Sequence, residues 1–159
     1  MLLMALTSVL FTALLFSYFS MICGEILRRK FDGEYSQVVA EANQLGFPSV
    51  QKSLEESGAP IDYSRVRRTL NCDFLTLTYL LKNAVNFNQR YSAEERLLIV
   101  YFRLAYLYLS ISYLIHLREV ATVQRLTAVL QYFANVVGRR INALRVADLT
   151  TSDFLLGIQ

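Results

Sequence analysis

One histidine and two cysteines are the obvious nucleophiles or metal ligands in this chain of 159 residues. His116 lies in an apolar run with no Cys or second His near it, so it reads as a packed core side chain. Cys23 and Cys72 form no C-x-x-C pair and read as small hydrophobes. The six glycines, at 24, 33, 46, 58, 138 and 157, stand too far apart to make a phosphate-cradling loop. Glu94 and Glu95 follow Ser92 in a capping-box pattern, in which Glu95 returns to the Ser92 backbone N–H, so a helix start accounts for the pair. Glu55-Glu56 reads as a solvated face. The expectation is a protein without catalytic residues, metal or cofactor.

Charge points elsewhere. All 29 charged side chains lie at or after Glu25, so the first 24 residues carry none. Leu2 to Gly24 gives 23 consecutive uncharged residues, 17 of them apolar, enough at a 1.5 Å rise to cross a hydrocarbon core of roughly 30 Å. No basic stretch precedes this run and no small-x-small pattern closes it, which argues for a retained anchor over a cleaved signal peptide. Arg28, Arg29 and Lys30 follow at once, and basic flanks favour the cytoplasmic side, so the expected topology is N-terminus outside and domain inside. The same three cations suit lipid headgroups.

Within the anchor, Ala13, Ser17, Ser20 and Gly24 recur at spacings of four, three and four, gathering small residues on one face. Membrane helices associate by close packing, which small residues permit, so this face is the expected contact with another integral membrane subunit.

The remainder divides into a connector, residues 31–61, a bundle of three long helices, 62–149, and a tail, 150–159. Glu34 to Leu45 predicts a helix stopped by Gly46, and a short helix follows over Ser49 to Ser57. Val66, Leu70, Phe74, Leu77, Leu81 and Val85 form a helical stripe behind Asp62 as N-cap. A long helix from Ser92 to about Arg118 and another from about Ala121 to Val146 complete the bundle. Sustained period-two alternation is absent, so the fold class is all-α: one N-terminal transmembrane helix followed by a small cytoplasmic helical bundle.

Leu97 to Leu117 holds only Arg103 and His116 as ionisable groups and competes as a second crossing. Arg103 inside the run, four central tyrosines and five downstream arginines oppose that reading. The alternative is a helix apolar nearly all round, central in the bundle or partly meeting a partner or the membrane face.

Arginine outnumbers lysine 13 to 3, and Arg65, Arg67 and Arg68 stand at a helix start, where the helix dipole disfavours cations. Together with Arg103, Tyr106 and Tyr113 they are candidate contacts to a partner or to lipid headgroups. A net charge of +3 is too slight to imply nucleic acid. The functional expectation is a non-catalytic accessory or stabilising subunit of a larger membrane complex, with respiratory or photosynthetic complexes as one setting. A membrane-tethered adaptor for a soluble partner and a carrier of an apolar ligand between helices are the alternatives.

Overall fold

The structure is a computed structural model that describes the backbone of residues 1–29, 31, 33–55, 62–83, 91–114 and 120–156, and their side chains apart from 2, 3, 5, 114 and 144–156. His116, Lys30 and residues 84–90 lie outside the described residues. Six helices follow in order: α1 Leu2–Leu27, α2 Ser36–Ala42, α3 Phe47–Glu55, α4 Tyr63–Asn83, α5 Ala93–Leu114 and α6 Val120–Leu156. No strand occurs among the described residues, so the all-helical class and the bundle hold.

The hub is α6. It packs against each of the other five helices and buries Val123, Leu126, Val129, Leu130, Phe133, Ala134, Val136 and Val137. Each large apolar side chain so buried contributes about 1.5–3 kcal/mol. The nearly all-apolar α5, for which a central place and a partly uncovered one were both open, buries one face, Leu98, Phe102, Ala105 and Leu109, and leaves Val100, Leu104, Leu107 and Ile111 exposed. Helix α6 holds the centre because its apolar residues continue for four turns, Val123 to Val137, with the exposed Arg125 as the one charged side chain among them. It also runs on to Leu156, so Thr150–Asp153, where a tail was expected to begin, is helical.

Helices α4 and α5 are antiparallel, joined by Phe74 and Phe102, whose rings stack at 4.0 Å with 3° between their planes. Phe74 also meets Phe133, 6.3 Å between centroids, which ties this pair to α6.

The two short helices are positioned by acceptors on the long ones. Asn135 Oδ1 accepts from the backbone N–H groups of Tyr35 and Ser36, both at 2.8 Å, at the start of α2. Asp73 accepts from Gly46 N at 3.2 Å and Phe47 N at 2.6 Å, at the start of α3. Helix α2 ends earlier than predicted, and its stop is not Gly46. Gln44 takes the left-handed conformation, φ 53°, while Leu45 N donates to Ala40 O at 2.9 Å and Gln44 N to Glu41 O at 3.3 Å. This is a Schellman motif with glutamine in place of glycine. Gly46 is required for a different reason: a Cβ there would stand 2.4 Å from Thr69 Cγ2.

Candidate membrane and partner surfaces

Helix α1 has two environments. From Met4 to Tyr18 its large apolar side chains are exposed, whereas Cys23 and Ile26 are buried and Phe19, Ile22 and Leu27 pack against the core. Leu6–Leu27 is the one segment among the described residues long and apolar enough to cross a membrane. Thr7 and Thr12 return their hydroxyls to Met4 O at 2.9 Å and Ser8 O at 2.8 Å, which satisfies them within the helix itself.

The inner end of α1 is fixed to the start of α5. Arg29 Nη1 donates to Glu94 Oε1 at 2.5 Å, and the Phe19 and Tyr101 rings lie 6.0 Å apart. Farther out, Phe16 shares a groove with Tyr101, Ala105, Tyr108, Thr122 and Arg125. Residue numbers thus fall along α1 as they rise along α5, so the two helices are antiparallel.

The predicted small-residue face stands largely clear of the bundle. Ala13 and Ser17 are exposed, Ser20 and Gly24 are half-buried, and a Cβ on Gly24 would meet nothing within 4 Å. At 100° per residue this face lies roughly a third of a turn from the side formed by Phe19, Ile22, Cys23 and Ile26. Of the basic flank, Arg28 is exposed and Arg29 is engaged with Glu94.

The candidate contacts on α4 and α5 separate into two groups. Arg65 and Arg68 are exposed, and Asp62 Oδ1 caps the helix by accepting from Ser64 N at 3.0 Å and Arg65 N at 3.2 Å. The Arg67 guanidinium lies over the Tyr113 ring, 5.6 Å from its centroid, so an aromatic face holds the innermost cation. Arg103 is exposed, and the half-buried Tyr106 stacks on Phe102 at 6.2 Å. Arg103 and Tyr106 border one shallow groove with Leu75 and Leu107.

Sequence reasoning missed the polar cluster beside the C-terminal end of α1. Ser92 and Glu95 do form the capping box, with Ser92 N to Glu95 Oε2 at 3.1 Å and Glu95 N to Ser92 Oγ at 3.2 Å. Glu95 also accepts from Arg140 Nη2 at 2.5 Å, and Glu94 accepts from Tyr132 O–H at 3.3 Å as well as from Arg29. Burial and the neighbouring Glu94 carboxylate push the Tyr132 phenol up to about 12. Burial also raises the Asp73 carboxyl, against the two backbone donors that favour its charged form. No group of three or more His, Cys, Asp or Glu side chains gathers at metal-binding distance among the described residues. The chain matches no known protein family, curated protein or solved structure.

Proposed function

We propose that this chain is a single-pass membrane protein without catalytic chemistry of its own, serving as an accessory or stabilising subunit of a larger membrane complex. The carrying observation is the exposed apolar length of α1, from Met4 through Tyr18, on a helix whose inner end is locked into the bundle at Cys23 and Ile26. Apolar area of that extent is not left in water by a soluble monomer. Its attachment through Phe19, Ile22 and Arg29 makes anchor and bundle one body.

The non-catalytic reading rests on where the buried polar groups are used. Asn135 and Asp73 start helices, and Glu95 caps α5 and pairs with Arg140. Each is committed to the fold. The basic flank at Arg28 and Arg29 supports a cytoplasmic bundle with the N-terminus outside, and exposed Arg65 and Arg68 suit acidic headgroups or an acidic neighbour. The small face of Ala13, Ser17, Ser20 and Gly24, largely clear of the bundle, is the surface offered to an integral membrane partner.

The test is mild detergent extraction followed by mass spectrometry of what co-purifies. Other membrane proteins in fixed stoichiometry support the subunit, and reversible capture of a soluble protein alone rejects it. Release of the chain by alkaline carbonate, or digestion of the bundle by protease added to sealed cells, would overturn the anchor or its orientation.

A further inference from the structure

Helix α5 carries an apolar stripe that no other part of the described chain covers. Val100, Leu104, Leu107 and Ile111 recur at four, three and four and are 50%, 40%, 56% and 48% exposed. Going round the helix at 100° per residue, the stripe lies between Tyr101, Ala105 and Tyr108, which border α1, and an edge formed by Arg96 and Arg103. It is therefore continuous with the groove that holds Phe16 of α1.

The level of this stripe along α1 decides what it meets. The apolar segment Leu6–Leu27 includes Phe19, Ile22, Cys23 and Ile26, which pack in or against the core, and the exposed Phe16, which borders the groove beside α5. The stretch of α1 before Phe16, Leu2 to Leu15, is fourteen residues, or about 21 Å at 1.5 Å per residue, two-thirds of a hydrocarbon core of roughly 30 Å. The remaining third, about 9 Å, must come from the turns that follow, which have α5 and α6 beside them. If α1 crosses, the neighbouring flank enters the membrane with it. Because α5 is antiparallel to α1, Ile111 is the deepest of the four and Val100 the shallowest.

We propose that the stripe Val100, Leu104, Leu107 and Ile111 is a lipid-contacting surface, immersed in the cytoplasmic leaflet beside α1. This rests on the reading of α1 as a membrane crossing. One helix then crosses and a second is partly immersed, which accounts for a segment too apolar for water and too interrupted by Arg103 to cross. Arg103 stands toward the shallow end of the stripe, from which a long side chain can carry its guanidinium to the headgroups.

The chain contains no tryptophan, so a single introduced indole reports its own surroundings. Full-length Leu107→Trp, Ile111→Trp, Phe11→Trp and Val38→Trp variants are reconstituted separately into phosphatidylcholine vesicles with and without dibrominated acyl chains. Bromine should quench Phe11→Trp, on the outer part of α1, and both α5 variants to a similar degree, leaving Val38→Trp on exposed α2 unchanged. The two α5 positions give independent readings should one substitution disturb folding. Quenching of Phe11→Trp with neither α5 variant affected would overturn the lipid assignment while the crossing stands, and the stripe would then face protein, either a second copy or another subunit. Absence of quenching at Phe11→Trp would defeat the crossing and this inference together.

Discussion

Arg140, in the sixth turn of α6, donates from Nη2 to Oε1 of Glu95 in the first turn of α5 at 2.5 Å, with the two side chains 17% and 5% exposed. The other carboxylate oxygen of Glu95 accepts from Ser92 N, so one side chain both closes the capping box and joins two helices. Removing one partner of a buried pair leaves an uncompensated charge, which costs about 3–5 kcal/mol. Glu95→Ala is therefore expected to lower the unfolding free energy by that order, and Ser92→Ala, which removes only the cap, by about 1 kcal/mol. Denaturant unfolding of the purified full chain checks this. Equal losses in the two variants would show that the pair with Arg140 contributes little.

How far the sequence discloses such features depends on their range. The Ser92–Glu95 capping box and the Asp62 cap are local patterns, legible because donor and acceptor are within three residues. The Glu95–Arg140 pair spans 45 residues and Asn135 reaches back 99 and 100, and no spacing rule reports such distances. The stop of α2 was misassigned because glycine is the usual left-handed residue, whereas here Gln44 adopts that conformation and Gly46 is reserved for contact with Thr69. Composition also could not rank α5 against α6, since Leu104 and Leu107 outside are the same residue type as Leu98 and Leu109 inside. The long apolar helix α1 was fully legible because it depends on a continuous run of residues.

Two helical glycines should respond oppositely to alanine. A Cβ on Gly138 would lie 2.3 Å from Tyr35 Cβ and 3.2 Å from Val39 Cγ2, so Gly138→Ala forces α2 away from α6. The expected loss is about 1–3 kcal/mol, the usual cost of overpacking. Gly24→Ala meets nothing within 4 Å and should leave the stability of the isolated chain unchanged or slightly raised. If Gly24 belongs to a packing face, the same substitution lowers retention in the native complex. Thermal unfolding and a detergent gradient separate the two effects, and full retention of Gly24→Ala together with Ser17→Leu and Ser20→Leu would remove the small face as an interface.

Tyr132 makes stability sensitive to alkaline pH. Its phenol is raised from the ordinary 10.0 to about 12 by burial and by Glu94, so the folded state holds a proton that the unfolded chain releases earlier. The resulting stability is fully present below pH 10, the unfolded value, and is lost as pH rises toward about 12. Unfolding followed across that window should show the decline in the native chain and a flatter profile in Tyr132→Phe. An identical profile in the two would assign the alkaline loss to other groups.

The short helices test whether borrowed acceptors hold them in place. Asn135 supplies the acceptor for both Tyr35 N and Ser36 N, and Asp73 the acceptors for Gly46 N and Phe47 N, in positions where a helix ordinarily uses its own cap residue. Asn135→Ala should cost about 1–3 kcal/mol, the range for leaving buried donors unmade. Asn135→Asp keeps an acceptor next to a helix N-terminus and should retain most of the stability. Asp73→Asn retains one acceptor oxygen but turns an N–H₂ toward the other donor, so it should fall between Asp73→Leu and the native chain. Hydrogen exchange gives the decisive measurement, because α2 and α3 are small outlying elements that can open without the α4–α5–α6 core. Loss of protection confined to α2 amides in Asn135→Ala, and to α3 amides in Asp73→Leu, is the expected pattern. Protection lost evenly through the bundle would mean that the short helices and the core unfold as one unit.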